Sequence, residues 1–258
     1  MIPRSRFWIA SLAGLLAMAM TAAGQEGRER SDKTAVQDHA ALVAHGLAMA
    51  IEAFTMEAQA GPAARGDQVP EAAQALRQHA RHDYEASDRL FRQAGQGLAA
   101  LGLGGGRIEA QRGEGEAPLA GPPAVRFYTA ANEYASTLRR AEATADIAEL
   151  NHAIKEAVDT FLIRQLARTS GRSSEAIDTL LQHARAMDRD SREILVKYDK
   201  YTRDREERGD RDQRPGSIAT LAHQGQMILR ALADLSSGPE GETKEKGEGK
   251  EKQSEHER

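Results

Sequence analysis

The stretch "LVAHGLAMAIEAF" (Leu42–Phe54) is echoed about a hundred residues later by "ELNHAIKEAVDTF" (Glu149–Phe161). Laid over each other, the two align His45 with His152, Ala50 with Ala157, Glu52 with Asp159 and Phe54 with Phe161. In both, apolar residues recur three and four positions apart, the spacing of one face of an α-helix. A second echo lies downstream of each: "QHAR" stands at Gln78–Arg81 and at Gln182–Arg185, with Ser87 and Ser191 following in register. The recurring unit is therefore a helical hairpin. Two such hairpins predict an all-α fold, an up-down four-helix bundle in which each hairpin buries its apolar stripe against the other.

Proline marks where the helices stop, because it lacks a backbone donor and clashes inside a helix. Beyond the N-terminus it occurs only at Pro62, Pro70, Pro118, Pro122, Pro123, Pro215 and Pro239. The first helix is expected over Asp32–Ala60, with Val36, Val43, Leu47, Ala50, Ile51, Phe54 and Ala58 on one seam. The second runs over Pro70–Leu101, with Ala72, Leu76, Asp83, Leu90 and Ala94 inward. A third, long and kinked, covers Ala124–Arg168 with Ile147, Leu150, Ile154, Val158 and Phe161 inward. Ser173 or Ser174 caps the fourth, which ends near Arg205. The hairpins thus occupy residues 32–101 and 124–205 of a bundle spanning 32–205. Residues 206–236 form a linker and an accessory C-terminal helix over Ser217–Leu235, carrying Ile218, Leu221, Leu229 and Leu232. Residues 237–258 are a charged tail with nothing apolar to bury, expected to be disordered. The Gly-rich "GLGGGR" (Gly102–Arg107) follows a helix rather than a strand and reads as linker, not as a phosphate cradle.

The N-terminus carries Arg4 and Arg6, an uncharged apolar run "FWIASLAGLLAMAM", and small residues ending in Ala22-Ala23-Gly24. That pattern is a secretory signal peptide over residues 1–24, placing the mature chain in the periplasm or outside the cell. No later segment reads as apolar enough to span a bilayer, so no membrane span is expected after cleavage. Cysteine is absent, which excludes disulfides, thiolate metal sites and cysteine nucleophiles. The formal net charge is −4 with both signs interspersed, against the basic patch that nucleic acid requires. Scarce aromatics and abundant alanine suit closely packed helices.

The matched polar positions are the candidates for chemistry. Each repeat histidine has a ligand-type neighbour at i+4: Met49 for His45, Asp83 for His79, Glu156 for His152 and Met187 for His183. At about 1.5 Å per residue, Glu52, His79, Asp159 and His183 would fall in one layer, some 12–14 Å from the hairpin turns. Two imidazoles and two carboxylates at one height would suit zinc, copper or iron, with His45 and His152 in a second layer. The helical wheel argues otherwise. Glu52, His45, Asp159 and His152 point away from the apolar seams, as solvated residues do. Yet His45 and Glu52 are the only polar residues of Leu42–Phe54, so both faces of that helix are expected to be covered.

The segments "HGLAMAIEA" and "EAAQALRQHARHDYEASDRL" resemble the hairpins of small exported ferritin-like bacterial families of unassigned function. That resemblance, over Asp32–Arg205, implies a four-helix bundle whose His and acidic residues face its interior and bind a metal. The functional expectation is an exported binding protein, holding a transition metal through these groups. The alternative is a metal-free structural or interaction module meeting a protein partner of the cell envelope. No catalytic motif is present, and an enzyme ranks below both.

Overall fold

The computed structural model describes residues 28–61, 70–103, 121–170, 174–207 and 216–237. The leader over residues 1–24, the Gly-rich connection beyond Leu103, Ser173 and the charged tail beyond Ser237 lie outside them. Within the described residues the chain is all-helical: α1 Arg28–Ala60, α2 Glu71–Ala100, α3 Pro123–Leu138, α4 Ala145–Ser170, α5 Glu175–Glu207 and α6 Ile218–Ser237.

The helix ends follow local chemistry. Pro70 precedes α2, and Pro123 sits in the first turn of α3, where its missing N–H leaves no hydrogen bond unmade. The Ser174 hydroxyl accepts the Ile177 N–H at 3.3 Å, capping α5 as expected. The long third helix is in fact two. Residues 139–144 interrupt it, and the Thr144 hydroxyl accepts the Ile147 N–H at 3.3 Å to open α4.

The two helices that carry the echoed stretches, α1 and α4, lie against each other. Helix α2 packs on α1 and α5 on α4, while α3 and α6 pack together and complete contacts with α1 and α4 respectively. These contacts run in a ring, α1 to α3 to α6 to α4 and back. Helix α6 is thus no accessory: Leu221, Ala222, Ile228, Ala231, Leu232 and Leu235 are buried in the common core.

Equivalent positions of the two echoes are buried alike. Val43 and Leu150, Leu47 and Ile154, Ala50 and Ala157, Ile51 and Val158, and Phe54 and Phe161 are all core residues. On the second helix of each hairpin the matched pairs are Ala80 with Ala184, Ser87 with Ser191 and Phe91 with Leu195. It is the alanine of each "QHAR" that faces inward. The expected α2 seam is rotated: Ala72 is exposed, Leu76 and Leu90 are half-buried, and the stripe is Ala80, Ser87, Phe91, Ala94 and Leu98. Ser87 can sit there because its hydroxyl donates to the Gly46 carbonyl at 2.7 Å. Tyr134, fully buried, donates to Asn151 Oδ1 at 2.7 Å and ties α3 to α4.

One expectation about membranes changes. Thr34–Ala60 of α1 is long and apolar enough to cross a bilayer by length and composition. Those criteria equally admit a signal sequence, a membrane anchor or a core helix; here 56% of the apolar window is buried within the protein. The scarcity of polar residues over Leu42–Phe54 follows from packing: α2, α3 and α4 cover α1 on several sides.

Candidate functional site

Glu52 on α1 and Asp159 on α4 do come together, but around a cation that belongs to the chain. The Lys155 ammonium lies 3.0 Å from Asp159 Oδ2 and 3.6 Å from Glu52 Oε1. Lys155 and Asp159 are one helical turn apart on α4, so the helix itself sets that pair. The α1–α4 packing delivers Glu52 to the same amine. The three side chains are each about one-quarter to one-third exposed (24%, 34% and 35% for Lys155, Glu52 and Asp159), a half-buried polar seam.

The electrostatics of the seam follow from this placement. Burial pushes the Glu52 carboxyl above the usual carboxylate range; Lys155 opposes that rise, and the negative charges of Asp83 and Asp159 add to it. Burial also holds His45 below the ordinary imidazole range, against the pull of Asp159. Lys155 feels burial most, which would lower it, but Asp159 and Glu52 together hold it above the ordinary lysine value. The amine therefore stays charged at neutral pH and offsets one of the two carboxylate charges, held closest to Asp159.

The remaining candidates are placed elsewhere. His79, His183 and His152 are exposed, as the wheel argument expects and the one-layer argument does not. His152 Nε2 lies 3.3 Å from Glu156 Oε1, and Asp83 lies 3.6 Å from His82 rather than serving His79. Glu149 and His152 have the Glu-x-x-His spacing of di-iron carboxylate bundles. Glu149, however, takes the Lys197 ammonium at 2.9 Å and the Tyr198 hydroxyl at 2.7 Å, away from any second ligand pair. Among the described residues no group of three or more His, Asp and Glu side chains is arranged to hold a metal ion. The layer of matched heights fails for a rotational reason: positions at equal depth share a site only if they also share an azimuth.

The sequence reading passes over Lys155, although its i,i+4 relation to Asp159 is a visible signal. It also misses a groove of about 280 Å³ between α4, α5 and α6. Phe161 and Ala157 on α4 and Leu229, Leu232 and Ala233 on α6 form its apolar floor. Arg164, Arg192 and Arg230, one from each helix, stand at its rim with Asp188. Asp188 accepts from Arg164 Nη2 and Arg192 Nε, both at 3.2 Å. Arginines so distant in sequence give no local motif, so only the fold assembles this feature.

Compared with protein-family models, curated proteins and solved structures, the chain matches none. The resemblance to ferritin-like hairpins thus gains no relative to lean on, and the functional reading rests on geometry.

Proposed function

We propose that this protein is a non-catalytic helical binding module of the cell envelope that works without a metal. The observation that carries the reading is the Lys155 ammonium between Glu52 and Asp159. A divalent ion there would have to displace an internal cation that is hydrogen-bonded to Asp159 and ion-paired with Glu52. His79, His152 and His183 are exposed, and half-buried His45 is the one candidate imidazole that feels Asp159; among the described residues no group of three ligands converges, as a tight site needs. The ring of contacts among α1, α3, α6 and α4 supports a four-helix bundle flanked by α2 and α5, and the matched burial supports duplication of a helical unit. Arg4, Arg6, the apolar run and Ala22-Ala23-Gly24 support export.

Elemental analysis tests the proposal. Full-length protein incubated with zinc, copper or iron and then desalted is expected to retain only background metal. The Glu52→Ala/His79→Ala double variant should give the same result. Stoichiometric metal in the wild type that disappears in the double variant would overturn the reading and restore the metal layer.

A further inference from the structure

The groove between α4, α5 and α6 differs from the polar seam in kind: an apolar floor meets a rim rich in guanidinium. Three arginines face one carboxylate there. Asp188 is shared between Arg164 and Arg192, and Arg230 has no ion-pair partner among the described residues. The rim is therefore net cationic, and its arginines present planar donors suited to a carboxylate. Val196, on the groove wall, is 65% exposed and is the one large hydrophobic side chain left exposed among the described residues. Exposed apolar surface beside an unneutralised cation matches a ligand with a chain at one end and an anion at the other.

We infer that this groove binds a single-chain anionic amphiphile, a carboxylate of the fatty-acid type. Its chain would lie over Val196, Leu229 and Ala233, and its carboxylate would meet Arg192 and Arg230. Size favours such a ligand over a docked protein helix. A volume of about 280 Å³ falls just below the range of small-molecule sites, roughly 300–1,000 Å³, room for one short chain. This inference deepens the proposed binding role by naming its ligand. It stands apart from the metal question, because no lining residue belongs to the Glu52–Lys155–Asp159 seam.

The test is calorimetric titration of the full chain with decanoate, a neutral decyl glycoside of the same chain length, and acetate, all below micelle formation. Decanoate is expected to bind at one equivalent, the glycoside about tenfold more weakly, the loss expected for one charge-assisted contact, and acetate not measurably. Arg230→Glu removes an exposed side chain with no ion pair among the described residues, so the fold should hold, as circular dichroism would check. That variant should weaken decanoate by about tenfold or more. Val196→Glu, on the opposite wall, should weaken it also. Absence of decanoate binding overturns the inference while leaving the metal assay to judge the broader reading. Equal binding of decanoate and the glycoside, or unchanged affinity in both variants, overturns it too. Binding of a synthetic acidic amphipathic helix in place of decanoate would assign the groove to a protein partner instead.

Discussion

His45 stands half-buried on α1, two turns before Glu52, and its environment resists protonation. In the unfolded chain an imidazole takes up its proton near its ordinary pKa of about 6.5. Folded, His45 takes it up at lower pH, because burial outweighs the attraction of Asp159. Between those two values the unfolded state binds more protons, so stability rises with pH and falls as pH drops through the window. Glu52 has the opposite sign: its raised carboxyl favours the folded state at low pH, and that contribution is lost as pH rises through its folded value. The wild-type curve mixes both. Comparison with His45→Gln isolates the histidine, and the variant should lose less stability than the wild type between pH 7 and pH 5. Denaturant midpoints at the two pH values give the measurement; parallel falls in both proteins would show that His45 is solvated in the folded state.

The turn that delivers α6 is held by Gly216, at φ +89°, in the left-handed region that side chains rarely occupy. A Cβ there would lie 2.9 Å from the Arg140 carbonyl oxygen and 3.0 Å from the Ala141 backbone, so the backbone at Gly216, just before α6, rests directly on the α3–α4 break. Backbone cannot yield as a side-chain tip can. Gly216→Ala is expected to destabilise the protein by roughly 1–3 kcal/mol, the range for a strained backbone position. Chemical denaturation would show it, and an unchanged midpoint would contradict the contact. At this scale the sequence was readable where apolar periodicity was strong. The inward set predicted on α4, from Ile147 to Phe161, is buried in full. It was misread on α2, where the core stripe runs through Ser87 and small alanines that hydrophobicity alone does not mark. The α3–α4 break is also hidden in the sequence, because residues 139–144 contain neither proline nor glycine, and only the Thr144 cap that opens α4 marks the restart.

Taken as a whole, the molecule is all-helical as the pairing of hairpins expects, but its ring of contacts runs through α1, α3, α6 and α4 rather than through the four helices of two hairpins. All-helical content and the echo of α1 in α4 are legible in the sequence, since the apolar positions matched between Leu42–Phe54 and Glu149–Phe161 are buried alike. The partners of each helix are not, because a helical stripe states that it must be covered without stating by what. Equal height alone likewise does not make a metal site: Lys155 on α4 reaches both Asp159 of its own helix and Glu52 of α1. The largest consequence concerns α6, whose length and position suggest an appendage. Leu221, Ile228, Leu232 and Leu235 are all buried against the other helices. Each fully buried aliphatic side chain is worth about 1.5–3 kcal/mol, so losing four approaches the whole stability of roughly 5–15 kcal/mol typical of a domain. A chain ending at residue 216 is therefore expected to keep much of its helical circular dichroism while losing a cooperative thermal transition. It should also bind a hydrophobic dye where the full chain does not, as α3 and α4 are uncovered. A truncated chain that melts cooperatively near the wild-type temperature would show that α1 to α5 close the core on their own, and that α6 contributes only a groove wall.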